Sequence, residues 1–212
     1  MKIDEQRRLV IPVVAETITK KVDDKDVSES VVRVYGYHVP ISREVFEQNF
    51  RVLAATKAEL SAKGSHYMMG SGPRVAALTL KDEGRKDAAA RGSFDEEGKI
   101  VDQETPALLA EIKRLTTVLC AGDHGWDMLP VDVAIQQGKI DEEDWEEALS
   151  SLVFFTCNYS LAKKADRARA AAASAHFLSG LITSSAPMEY IASLPNSTPV
   201  GNTKKTHSSI PS

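Results

Sequence analysis

Residues 141–165, DEEDWEEALSSLVFFTCNYSLAKKA, decide the fold. Asp141 stands where it can cap the first free amides of a helix. Glu142, Glu143 and Asp144 put negative charge where a helix N-terminus favours it. Trp145, Leu149, Leu152 and Thr156 recur at helical spacing, and Ala148, Val153 and Phe155 widen that stripe. Lys163 and Lys164 fall near the other end, where positive charge suits the helix dipole. Aromatic stripes at this spacing pack inward, so the segment reads as a buried core helix.

Working back from it, Val131 to Gln137 predicts a short helix closed by Gly138. Thr105-Pro106 opens another by a cap followed by proline, with Leu108, Leu109, Ile112, Leu115 and Leu119 as its buried face. Arg74 to about Arg91 predicts a further helix, with a break admitted at Gly84, and 66–73 and 92–103 read as loops. Ser42 predicts an N-cap, Ile41 and Phe46 are placed for a hydrophobic staple, and Phe46, Phe50, Leu53 and Leu60 follow one face up to Gly64. After the central segment, the alanine-rich run from Ala165 to Leu181 predicts one more helix.

Arg8–Val14 and Val31–Val39 are rich in β-branched and aromatic residues and predict two strands. The charged link between them, Lys20 to Glu29, reads as a solvated loop. Pro12 cannot donate to a ladder, so its strand is expected at an edge or broken there. A lone hairpin is marginal in water and must pack on helices or pair with another chain's sheet edge. From 183 onward about half of the residues are Ser, Thr or Pro, which predicts a segment unable to build a core, around an apolar island of Met188, Tyr190, Ile191 and Leu194. The expected fold class is therefore mainly α. A helical domain of about five to six helices spans 41–182, a small N-terminal β-hairpin within 1–40 packs on it, and a disordered, flexible tail covers 183–212.

The totals narrow the function. A chain of 212 residues with net charge -4 and pI near 5.8 lacks the basic balance that generic nucleic-acid binding needs. No run of 18 apolar residues offers a membrane span, and the apolar run near the N-terminus is too short for a signal peptide. Cys120 and Cys157 sit in apolar patterns, each without a second metal ligand at short spacing, and read as buried thiols. Gly70-Ser71-Gly72 lacks the lysine and hydroxyl of a phosphate loop, and a turn before Pro73 at a first helical position explains it. Asp123, His124 and Asp127 are the one grouping with acid–base or metal potential, but this is also common turn chemistry and nothing completes a ligand set. No catalytic, cofactor or metal residue is assigned. The residues alone describe a helical interaction protein.

The order RLVIPVV (8–14), YGYHVPISREVFEQNF (35–50), SGPRVAAL (71–78), LLAEIKRLT (108–116), a helix ending LVFFT (152–156) and a Ser/Thr-rich end, SSIPS (208–212), resembles the tail assembly chaperones of long-tailed bacteriophages over most of the chain. In that family a −1 frameshift near the end of the gene often yields a longer form, and Thr203-Lys204-Lys205 permits a slippery ACA-AAA-AAR run. The resemblance implies a non-enzymatic protein that coats the tape measure protein and recruits tail tube protein through the longer form. It also implies action in the host cytoplasm and absence from the mature virion. A homo-oligomer is left open; no nucleic acid or membrane partner is expected. Candidate partner-binding residues are Phe46, Phe50 and Leu53 on the first helix face and Met188, Tyr190, Ile191 and Leu194 in the island. The faces Phe46–Leu60 and Trp145–Phe155 are candidates for a client groove. The alternatives are a virion neck or adaptor protein and an enzyme centred on Asp123, His124 and Asp127.

Overall fold

A computed structural model describes residues 7–22, 25–122 and 125–194. Its centre is a five-stranded sheet in which every neighbouring pair is antiparallel. The strands are β1 (Arg8–Val22), β2 (Lys25–His38), β3 (Thr116–Gly122), β4 (Gly125–Pro130) and β5 (Leu181–Thr183), ordered β4-β3-β2-β1-β5. This overturns the mainly-α expectation: the protein is α/β, and the hairpin is the middle of a larger sheet. Leu115 and Leu119 keep helical spacing with Ile112, which hid the strand. However, Thr116, Thr117 and Val118 are β-branched in succession, and in the sheet Val118 and Leu119 bury on opposite faces. Cys120, read as helical, lies in β3 as well.

β1, with 15 residues, is about twice its expected length and β2, with 14, about one and a half times, and most of the charged link at 20–29 is strand. Pro12 sits opposite Tyr35 at a register shift in β1, two residues past the last residue that β5 pairs, so the ladder is irregular there and only β2 flanks it.

One sheet face carries most of the helices: α1 (Arg43–Gln48), α2 (Phe50–Ala62), α3 (Ser65–Gly70), α4 (Gly72–Ala90), α5 (Glu104–Arg114), α6 (Val131–Gln136), α7 (Glu142–Ser160) and α8 (Arg167–Phe177). Leu9, Ile11, Val34, Val118 and Cys120 face this layer and join one core with Leu53, Leu80, Ile112, Leu152 and Phe155. The central helix begins as the sequence requires. Asp141 Oδ1 accepts the Asp144 amide at 2.8 Å, and Asp144 Oδ2 accepts the Asp141 amide at 2.9 Å. α7 packs against α4, α8, α2, α5 and β1, so its stripe closes on all sides. Phe155 stacks on Tyr159 with ring centroids 5.3 Å apart and is 1% exposed; truncating it to alanine costs about 3–5 kcal/mol.

The predicted first helix is two helices broken at Asn49. Ser42 Oγ caps the first by accepting the Val45 amide. The 66–73 loop is largely α3, and α4 runs through Gly84 without a break.

The other sheet face is covered by α9 (Pro187–Ser193), which lies within the segment expected to be a flexible tail. Tyr190 packs there with Val10, Tyr37 and Leu119, with Tyr35, Trp126, Ile191 and Leu194 around it. The Tyr37 hydroxyl donates to the Ser185 carbonyl at 2.5 Å and ties the turn before α9 to the sheet.

Candidate protein-binding surfaces

β1 and β2 pair along their whole lengths, but their neighbours do not follow. β5 meets β1 only at Arg8–Val10, and β3 meets β2 only at Val34–His38. From Ala15 to Val22, and back from Lys25 to Val32, the hairpin continues as a two-stranded ribbon without a further strand among the described residues. Eight residues of strand make it roughly 25 Å long.

Antiparallel pairing sorts its side chains. Thr17 and Thr19 share a face with Ser30 and Ser28, and Thr19 Oγ1 lies 3.4 Å from Ser28 Oγ. Glu16, Ile18, Glu29 and Val31 share the opposite face, where Arg33 Nε donates to Glu16 Oε2 at 2.9 Å. Thr17, Thr19 and Ser28–Ser30 are exposed. An isolated ribbon of this kind is marginal in water, and an unpaired strand edge is a template for another chain. Sequence reading missed it because the charges near its tip resembled a loop. The signal present was the β-branched alternation of Thr17-Ile18-Thr19 and the run Val31-Val32.

The sequence-derived candidates separate into surface and core. Phe50 is half exposed and meets the half-buried Phe46 edge to face at 5.8 Å, with the Arg43 guanidinium 5.5 Å from the Phe46 ring centre. Leu53 and Leu60 are buried, as are Trp145, Leu152 and Phe155, so most of the two proposed groove faces is core. In the island Met188 is 66% exposed, while Tyr190 is buried and Ile191 and Leu194 are half-buried against the sheet. A hollow of about 310 Å³ opens between α2, α3, α7 and α8, lined by Lys57, Met68, Met69, Phe154 and Phe177. Met69 and Phe177 are exposed at its rim, a soft apolar lining suited to a protein side chain.

His38, Cys120 and Cys157 are buried. His38 is fully buried; its Nδ1 lies 2.9 Å from Thr116 Oγ1, which itself donates to the Ile112 carbonyl. Nδ1 is therefore the donor, and Nε2 is left without a partner among the described residues. Burial pushes the His38 pKa down to about 3, so the ring is neutral. Cys120 and Cys157 are free buried thiols; desolvation raises both, Cys157 to about 12. Asp123 and His124 lie outside the described residues. Asp127 is exposed and leans over Gly122, and Trp126 packs on Tyr35 with centroids 5.6 Å apart. Gly72 is buried against the Phe154 ring, so the Gly-Ser-Gly element is a packing contact between α4 and α7. Among the described residues no three His, Cys, Asp or Glu side chains gather closely enough to hold a metal ion, and no helix is long and apolar enough to cross a membrane.

These features define an α/β protein whose most accessible unusual element is an unpartnered β-ribbon. Compared with protein-family models, curated protein sequences and solved structures, the chain matches none.

Proposed function

We propose that the chain is a non-enzymatic tail assembly chaperone of a long-tailed bacteriophage. It binds the tape measure protein, promotes tail tube assembly in the host cytoplasm and has a longer form made by −1 frameshifting. The motif order from Arg8 to Thr156 supports the family, and the ribbon of β1 and β2 is the observation that carries protein binding. Backbone groups along both ribbon edges offer hydrogen bonds to an extended partner segment. The exposed hydroxyl face adds polar contacts, while Phe50, Met69 and Phe177 add apolar ones beside the helical layer.

Co-expression with the tape measure protein of the same phage is the test. The chaperone reading predicts that the two co-purify, that the tape measure protein stays soluble only with this chain, and that purified virions contain none of its peptides by mass spectrometry. Peptides of the chain in mature virions at structural stoichiometry would replace this reading with the neck or adaptor protein. No co-purification would remove the client assignment.

A further inference from the structure

The exposed side of α4 carries Arg74, Leu78, Lys81 and Arg85 in one helical stripe. Leu78 is 64% exposed, an apolar side chain in the middle of a charged row. On one flank the stripe borders a cleft of about 840 Å³ also lined by Lys99, Ile100 and Leu109, where three cations (Lys81, Arg85 and Lys99) outnumber the one carboxylate, Asp102. On the other flank it borders a smaller hollow of about 230 Å³ whose far wall carries Glu143, Glu146 and Glu147 of α7. Lys81 lines both, so the cationic cleft and the acidic wall adjoin across α4.

Two of the four cations on α4 have partners: Lys86 meets Asp82 and Glu83, and Arg74 reaches Glu147 at 3.7 Å; Arg91, just past the helix end, meets Asp87 and Glu104. Lys81, Arg85 and Lys99 make no ion pair with the described residues, and neither do Glu143 and Glu146. Lys81 and Arg85 are four apart on the same helix face, a like-charge spacing that is unfavourable on a helix. An acceptor of opposite charge from outside the chain relieves it.

The complement to the basic cleft is present on the same molecule, on the other flank of α4. A surface with adjoining positive and negative halves is self-complementary under a two-fold rotation. We infer that this face binds a second copy of the chain: a two-fold axis near Leu78 sets Leu78 against its counterpart and seats Glu143 and Glu146 of each copy over Lys81, Arg85 and Lys99 of the other. The charged rim sets orientation and the exposed leucine supplies the apolar centre. The dimer is weak and salt-sensitive, because its ion pairs are solvent-exposed. This inference does not depend on the tail assembly reading.

Sedimentation velocity on the full chain tests it with two variants whose altered residues are all exposed: Arg85→Glu/Lys99→Glu and Glu143→Lys/Glu146→Lys. The wild type is expected to dimerise at ~100 µM in low salt and to weaken at least ~10-fold between about 0.05 M and 0.5 M NaCl. Each variant alone, folded by circular dichroism, is expected to be monomeric. An equimolar mixture is expected to form a heterodimer, since the acidic cleft of the first variant then meets the basic wall of the second, and the acidic wall of the first meets the basic cleft of the second. A monomeric wild type, variants that dimerise like the wild type, a mixture that stays monomeric, or growth beyond dimers would each overturn the arrangement.

Discussion

Thr105 Oγ1 lies against the backbone of Gly84, so a Cβ built on Gly84 would fall 1.8 Å from it and 2.5 Å from Asp102 Oδ2. This is where the start of α5 crosses α4, and it explains a glycine in the middle of a 19-residue helix. Alanine there improves helix propensity by about 1 kcal/mol but forces the two helices apart. Gly84→Ala is expected to lose about 2 kcal/mol or more net, read as a fall in melting temperature of roughly 4–8 °C. Thr105→Ala should cost little alone, because Oγ1 has no hydrogen-bond partner among the described residues. Combined with Gly84→Ala it should restore part of the loss. Strictly additive melts would show that the contact is not the reason for the glycine.

His38 makes folding sensitive to acid. Its pKa is about 3 folded and near 6.5 unfolded, so between those values the unfolded chain binds the extra proton and stability rises with pH. The contribution is complete above about pH 6.5 and is lost as pH falls, at up to about 1.4 kcal/mol per pH unit. Urea melts at pH 7 and pH 5 should differ accordingly. His38→Asn, whose amide can still donate to Thr116, should remove most of that slope. An unchanged slope would assign it to other groups.

The thiols should be silent in the native protein. Cys157 is held near pKa 12 and Cys120 is raised by desolvation, so neither supplies an accessible thiolate. Iodoacetamide is expected to label neither at pH 8 and both in denaturant. Rapid native labelling of either one would contradict the burial.

Tyr190 holds α9 on the sheet. Its ring lies 6.1 Å from Tyr37 and 6.5 Å from Tyr35, and it is 7% exposed. Tyr190→Ala is expected to release the 184–194 segment, giving faster proteolysis there, with a stability loss of about 2–4 kcal/mol. Cleavage at the wild-type rate would mean that the segment docks by other contacts.

The legible parts of this chain were local ones. Asp141 with Asp144, Ser42, and the stripe from Trp145 to Thr156 depend on neighbours within a few residues, so their spacing alone placed α7 and the start of α1. The illegible parts were decided at long range. β3 follows α5 directly, and Leu119 kept the helical period across the boundary although it belongs to the opposite sheet face. Tyr190 sat in a polar segment whose docking depends on Tyr37, far away in sequence. The candidate site suffered likewise. Phe50 and Leu53 share a helical stripe, and only the packing of α4 and α7 over α2 makes one exposed and the other buried.

In the proposed function the ribbon carries partner binding. The most direct measurement joins Glu16 to Val31, which face each other across the ladder, through Asn-Gly, so that only the outer ribbon is removed. Affinity of this trimmed chain for the tape measure protein is then compared with the full chain, with thermal melts confirming that the folded body is intact. The melt is expected to be unchanged and the affinity to fall ~10-fold or more, as when β-pairing contacts are removed. Full affinity in the trimmed chain would contradict the proposed role of the ribbon.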